Sequence, residues 1–470
     1  MRTERDALGE VSLPDGALYG IQSARARDNF ALRYKPANRR LTYALVTVKK
    51  AAALAYRKLA ADGGEAAKWD AILRACDRAL AGDADDMFIT DALQGGAGTS
   101  LNMNVNEVLA NLALRLMGVP AGSYHVIHPL DDVNRGQSTN DVYPTALRIA
   151  AIELLRELSA ECAKLQESLQ RKENDFADIR KLGRTELMDA VPITLGEEFG
   201  AWAQALSRDR WRLYKAEERL RQVNIGGTAV GLATNAERQY RFAVIEELRE
   251  LCGIGLAAAE YPMDITQNCD VFVETSGLLK ALAVNLSKIA GDLRLMNSGP
   301  RGGIGEIRLA ALQRGSTIMP GKENPVVPEM VIQCGIRVMA NDCALSIAAS
   351  RGEFELNAFL PLVADSLLES LELLCRAAAI FRAKCVETLE AVPERCAALL
   401  DASLAFAAAY VPRLGYDAVS GIIAENGGDA GKVREALEAA CGACQGSKHA
   451  RVRGRNTPVS EVETRPCQRS

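Results

Sequence analysis

Between residues 270 and 297, Leu278, Leu282, Leu286, Ile289, Leu293 and Met296 follow one another at intervals of 4, 4, 3, 4 and 3. That spacing lines them up on one side of an α-helix as a bundle seam. Gly299-Pro300 ends the pattern, since proline has no N–H to extend the ladder. A helix of about 28 residues spans about 42 Å, against a usual length of about 11–12 residues. One small domain cannot cover so long an apolar side. The pattern therefore calls for a long bundle completed by further copies of the chain.

Three other stretches read as long helices. Asn140-Asp141 is placed as the N-cap of a helix reaching Asp175, in which Leu147, Ile149, Ile152, Leu154, Leu155 and Leu158 recur at helical spacing. A third pattern runs from Pro328, suited to a first turn, to about Ala349, and a fourth covers 360–384. Alternating strand patterns are few, aromatic residues make up 5% and Ala and Leu abound, so an all-α, mainly helical fold is expected. With 470 residues there is material for two or three domains.

The same composition excludes several functions. Lys and Arg number 56 against 60 Asp and Glu, so no basic field exists to favour nucleic acid. No run of 18 apolar residues occurs, and no membrane span is expected. The N-terminus is charged and lacks the apolar core of an export signal, and the twelve cysteines are scattered. Reduced thiols in the cytoplasm are the expectation. Three histidines, His125, His128 and His449, leave little for a His-centred triad or a multi-His metal site. No cofactor and no metal are expected. Cys441-Gly-Ala-Cys444 with His449 and Cys467 has zinc-type donors, but a single Cys-x-x-Cys is a weak signal. The stretch from Gly442 to Ser470 reads instead as a partly disordered tail with incidental cysteines.

Polar residues cluster in four places: Thr99-Ser100-Leu101-Asn102, Gln137-Ser138-Thr139-Asn140-Asp141, Gly183-Arg184-Thr185-Glu186, and Gly315-Ser316-Thr317-Ile318-Met319-Pro320-Gly321-Lys322-Glu323-Asn324. Taken singly, each is explained as a helix cap or turn. Taken together, hydroxyls, amides and one lysine beside helix starts are suited to holding carboxylates. Glycines after Gly299 suggest a mobile loop beside such a site. No phosphate loop is present, since no Gly-Lys-Ser/Thr follows either Gly-rich stretch.

The 315–324 segment resembles the signature loop of the aspartase/fumarase superfamily. Gly95 to Asn104, Val133 to Asp141 and Gly183 to Ala190 resemble its other three conserved segments, in order. The resemblance covers about residues 3–440 and within the superfamily is strongest to aspartate ammonia-lyases. It implies three mainly helical domains, placed here at 1–138, 139–394 and 395–470, the last ending in the flexible tail. The middle domain would supply five long helices, and four chains would form a twenty-helix homotetramer core with active sites shared between chains.

The resemblance also implies a reaction, the reversible deamination of L-aspartate to fumarate and ammonia. The proton leaves a carbon beside a carboxylate, a very weak acid, so its charge must spread into an aci-carboxylate held by preorganised donors. Those donors would be Thr99, Ser138, Thr139 and Thr317. Ser316 would be the base, its hydroxyl made acidic by backbone N–H groups of the Gly-rich loop. Lys322 and Asn324 would bind the other carboxylate with Thr185 beside them, and Asn140 would contact the amine.

Glu186 departs from the family, which carries His or Gln there. A carboxylate about 4 Å from a substrate carboxylate would be repelled by up to about 4 kcal/mol at an effective dielectric of 20. Glu186 is then protonated, faces a cation such as a substrate amine, or turns away to pair with Arg184 or another arginine. This keeps a second function open: a lyase of the same superfamily acting on a modified aspartate or another amine adduct in a specialised biosynthetic pathway. A non-catalytic bundle protein is a third, but it predicts damage to Ser316, Lys322 or Asn324, and all three are present. Thr317 in place of the usual Ser keeps its hydroxyl. His125 and His128 are read as structural, and Cys269 and Cys334 as core.

Overall fold

The computed structural model describes residues 1–32, 34–60 and 65–453, with backbone alone for 443–453. The chain forms two compact units. The first comprises Met1–Leu169, Trp202–Leu295 and Leu309–Leu389; the second comprises Gln170–Ala201, Met296–Arg308 and the chain from Glu390 onward.

The first unit opens with an antiparallel pair, β1 (Arg2–Asp6) and β2 (Gly9–Leu13), with Arg2 opposite Leu13 and Asp6 opposite Gly9. Four helices follow: α1 (Ile21–Asn29), α2 (Arg39–Leu59), α3 (Ala66–Leu80) and α4 (Thr99–Leu116). α1 lacks a local side-chain cap. Glu107 of α4, buried, accepts the N–H groups of Gly20, Gln22 and Ser23 at 2.8–3.0 Å instead. A carboxylate there answers both the free donors and the positive end of the helix.

Five long helices come from the stretch between residues 139 and 381: α5 (Thr139–Asp175), α6 (Leu195–Leu220), α9 (Asp270–Met296), α10 (Val326–Ala349) and α11 (Leu360–Phe381). The shorter α7 (Arg238–Cys252) and α8 (Pro262–Gln267) lie between α6 and α9 in the chain. α5 and α6 each continue into the second unit. The seam of α9 differs by one place from the sequence reading. Leu279, Leu282, Leu286, Ile289, Leu293 and Met296 are buried, whereas Leu278 is only half-buried. The intervals become 3, 4, 3, 4 and 3, which holds a straighter stripe on the helix than the 4, 4 start. α10 packs along α11. It also comes close to α9, where a Cβ at Gly335 would lie 2.2 Å from the Ser287 hydroxyl. By length and composition α10 is apolar enough to cross a membrane, yet only 33% of its most apolar window is buried within the chain.

The cap of α5 lies two residues before the expected Asn140. Ser138 Oγ accepts the Asn140 N–H at 3.2 Å, and Asp141 Oδ1 accepts the Ser138 N–H at 2.9 Å. This reciprocal pair is a capping box with aspartate at the third position. Pro144 lies inside the helix and cannot donate to the carbonyl of Asn140. Asn224 Nδ2 takes that carbonyl at 3.0 Å, so the helix continues.

The second unit carries the hairpin β3 (Arg180–Thr185) and β4 (Met188–Thr194), then α12 (Pro393–Asp401), α13 (Val411–Leu414), α14 (Tyr416–Glu425) and α15 (Ala430–Arg453). One apolar cluster of this unit joins Ala407, Val419, Val433 and Leu437. α15 runs eleven residues past Gly442 into the segment read as a loose tail. Ala, Glu, Lys and Arg dominate that helix, and their propensity outweighs its three glycines. The side chains of Cys444 and His449, and all of Cys467, fall outside the described residues; among those described, no cluster of His, Cys, Asp or Glu fits a metal. The Gly299–Gly305 segment is tied down rather than loose. Ile304 N–H reaches Ser298 Oγ at 3.1 Å, and Arg395 donates to the carbonyls of Ile304 and Gly303 at 2.8 and 2.9 Å.

Candidate active site

The first group of expected site residues sits where α4 and α5 begin. Gly98, at φ +94°, precedes α4, and a Cβ there would lie 2.3 Å from the Tyr143 ring. Only glycine allows both the left-handed backbone and the close approach of α5. Thr99 opens α4, exposed, with its Oγ1 donating to the Gly96 carbonyl at 2.7 Å. Thr139 Oγ1 accepts from Asn102 Nδ2 at 3.0 Å. Ser138 Oγ accepts the Asn140 N–H. Each of these two hydroxyls takes a bond on its oxygen, which leaves its proton to donate elsewhere. Asn140 Nδ2 donates to the Ala229 carbonyl at 2.8 Å. Its remaining Oδ1 is an acceptor, the polarity that an ammonium needs.

Beneath this turn lies a buried polar cluster. Asn134 Oδ1 accepts from Lys49 Nζ at 2.7 Å, Asn106 Nδ2 at 3.2 Å and Asn102 Nδ2 at 3.3 Å. Lys49 also reaches Gln137 Oε1 at 3.0 Å. It is 1% exposed, and burial pushes its ammonium from the ordinary 10.5 down to about 7, with Asp141 partly opposing the shift. Burial pushes Asp141 up to about 6, although the N–H groups of Ser138, Thr228 and Gly226 favour its charge.

The 315–324 segment closes on itself. Gly315 N–H donates to the Lys322 carbonyl at 2.9 Å, and Asn324 Nδ2 donates to the Gly315 carbonyl at 2.7 Å. A Cβ at Gly315 would stand 2.3 Å from that Lys322 oxygen. Inside this ring Ser316 Oγ accepts the backbone N–H of Ile318 at 3.1 Å and of Met319 at 2.9 Å. Two N–H donors on one hydroxyl oxygen favour its ionised form. They come from the Ile-Met pair inside the loop, not from its glycines. Ser316, Thr317, Arg314 and Lys322 line a cavity of about 620 Å³. Lys322 is exposed and has no ion-pair partner among the described residues.

Thr185 and Glu186 belong to the second unit, at the tip of the β3–β4 hairpin. Thr185 pairs with Met188 around a two-residue turn in which Glu186 and Leu187 have φ +54° and +64°. Both conformations match a type I′ turn, which normally takes Asn or Gly. Arg184 does not pair with Glu186. Its Nη1 binds both oxygens of Glu306, at 3.0 and 3.2 Å. Glu186 is exposed and has no ion-pair partner among the described residues.

The family described as Lyase matches residues 9–340. An aspartate ammonia-lyase of Corynebacterium glutamicum is 44% identical over 419 residues, 88% of this chain and 79% of that protein. One of Pseudomonas aeruginosa is 45% identical, covering 88% of each. Among solved structures, a fumarate lyase:delta crystallin from Brucella melitensis bound to cobalt aligns with a TM-score of 0.88 at 44% identity, over 94% of this chain and 99% of that one. A class II fumarase from Schistosoma mansoni aligns at 0.89 and 30%, over 93% and 95%. The chain belongs to the aspartase/fumarase family of lyases.

In this lyase the structure joins Asn102 to Thr139 and seats Ser138 and Asn140 beside them. It sets Ser316, Thr317, Lys322 and Asn324 in a separate ring, and Thr185 with Glu186 on the hairpin. Asn324 holds the ring shut, a duty its motif position did not announce. His128 is structural, its Nδ1 accepting the N–H groups of Leu130 and Asp131 at 3.1 Å. Cys269 is buried and Cys334 half-buried. Two buried charged residues bonded to the motif segments escaped the sequence reading, Lys49 and Glu306. Lys49 did leave a signal, since it stands 4, 3 and 4 residues apart in line with Leu45, Ala52 and Tyr56 on an apolar helix face. Glu306 left none.

Proposed function

We propose that this lyase interconverts L-aspartate with fumarate and ammonia, Ser316 taking the Cβ proton as an alkoxide. The observation that carries the reading is the pair of backbone N–H groups on Ser316 Oγ. Ser138 and Thr139, with hydroxyl protons to spare, and Thr99 and Thr317 donate to the carboxylate that takes the charge of the aci-carboxylate. Thr99 does so by turning from the Gly96 carbonyl. Lys322, Asn324 and Thr185 take the other carboxylate, and Asn140 Oδ1 accepts from the amine. The names of the relatives support aspartate as the substrate.

The site residues fall in separate groups within one chain, and we propose that three chains of a homotetramer complete each site. Support comes from α10, where Ile336, Ala340, Cys343 and Ile347 form an exposed stripe at intervals of 4, 3 and 4. This stripe lies apart from the buried residues Val331, Gly335, Val338, Asp342 and Leu345. A three-domain division and a reducing, cytoplasmic setting are part of the same proposal; ten thiols are free among the described residues.

The test is fumarate absorbance with L-aspartate. Wild type should turn over, and Ser316→Ala should lose about 10²–10⁴-fold in kcat while keeping its assembly. Retained activity removes Ser316 from the mechanism. The freedom of Glu186 favours a second reading, a substrate with a cation near that carboxylate. Fumarate incubated with a panel of amines, with Glu186→Gln as control, decides between them: adduct formation faster than with ammonia, and lost in Glu186→Gln, selects the second.

A further inference from the structure

Glu306 is fully buried, and so is Lys181, whose Nζ lies 2.8 Å from Glu306 Oε2 and 2.7 Å from Glu198 Oε2. Arg184 Nη1 binds both oxygens of the same carboxylate. The Glu306 backbone is equally constrained: its N–H donates to the Met296 carbonyl, and its own carbonyl accepts the Val392 N–H, both at 2.9 Å. The two cations are three residues apart on β3, where a regular strand points side chains to opposite faces. The register slips by one between Leu182 and Arg184. The extra residue lies on β4, where Ala190 and Val191 stand opposite Gly183, and a Cβ on Gly183 would lie 2.7 Å from the Val191 carbonyl. Such an irregularity adds local twist, and both side chains reach one carboxylate.

Beyond Arg184 the hairpin has little to hold it. Residues 185–188 are exposed, and among the described residues none of their side chains makes a hydrogen bond. Two successive non-glycine residues in the left-handed region cost roughly 1–2 kcal/mol each, and such strain persists only where the surroundings enforce it. We propose that Glu306 is a positioning residue: through Arg184 and Lys181 it clamps the base of the hairpin and so sets the aim of Thr185 and Glu186 toward substrate. The clamp also consumes the cation that would otherwise neutralise Glu186. The inference rests on the substrate-binding reading of Thr185 and Glu186.

Arg184→Met tests it without stranding a buried charge, because Lys181 stays paired with Glu306. The expected result is a KM for substrate raised about ten- to hundredfold with kcat within about threefold. Amide exchange should quicken across residues 184–190 but not across 416–425. Arg184→Lys should recover most of the KM. Unchanged KM with unchanged hairpin exchange overturns the proposal. So does a loss spread evenly over hairpin and α14, which marks plain destabilisation. If wild type turns over no substrate, the proposed function fails alone, and the exchange of Arg184→Met and Glu306→Gln still decides whether the clamp orders the hairpin.

Discussion

Lys49 departs furthest of the basic side chains from its behaviour in water. Among the described residues no carboxylate bonds it; two amide oxygens do. Amide oxygens accept hydrogen bonds but bring no full charge, so burial outweighs them and the folded pKa falls to about 7 from 10.5. The unfolded chain therefore binds more protons between those values. Stability contributed by this residue rises with pH from about 7 toward 10.5, by up to about 1.4 kcal/mol per pH unit. Asp141 works in another window. Its folded pKa is raised to about 6 from 3.8, so its contribution falls as pH climbs through that interval. Thermal melts at pH 7, 8 and 9 should show wild type gaining stability with pH relative to Lys49→Met, which lacks the titrating group; parallel curves would mean that Lys49 keeps an ordinary pKa. The hydroxyls above this cluster were legible as candidate ligands because they stand in a compact motif. The cation beneath them comes from a helix about 85 residues earlier.

At the scale of the element, α5 shows how a proline survives inside a helix that must start at the site. Pro144 leaves the Asn140 carbonyl without its helical donor, and the buried Asn224 supplies one while also donating to Thr266 Oγ1 at 2.8 Å. Asn224→Ala should cost about 1–3 kcal/mol, the usual penalty for an orphaned buried group. Pro144→Ala in the same chain should restore part of that loss, since the backbone N–H gained at that position would then reach the carbonyl. Denaturant melts of the two single variants and the double variant check this, and strict additivity would sink the account. The ends of α5, α9, α10 and α11 were readable to within three residues because the 3.6-residue period and the Gly299-Pro300 stop are local. The capping box was displaced by two residues in the reading because Asn140 and Ser138 are both good caps, and only hydrogen-bond geometry chooses between them.

For the whole molecule, α10 carries the sharpest imbalance. Ile336 and Ile347 are 59% and 60% exposed in the single chain, on a helix apolar enough to span a membrane. Burying each would contribute roughly 1.5–3 kcal/mol, repeated over every copy. Light scattering should give a mass near four copies of the 50.6-kDa chain. Ile336→Glu with Ile347→Glu should lower that mass and abolish turnover together, because sites shared between chains vanish with the assembly. A wild-type mass near 50.6 kDa, or full activity in dispersed subunits, would refute shared sites.

The sequence by itself determined the four long helices α5, α9, α10 and α11 and the polar motifs, because helical period, turn chemistry and hydroxyl–amide clusters are all encoded within a few residues. It also settled that Ser316, Thr317, Lys322 and Asn324 share one loop. Only the tertiary structure decided that Leu279 rather than Leu278 faces the core, that Asn324 closes the ring around Ser316, and that Arg184 belongs to Glu306 rather than to Glu186. These depend on burial and on pairings across as many as 122 residues. A charge finds its partner through space, and a carboxylate such as Glu306 has no local pattern that names the strand it will hold.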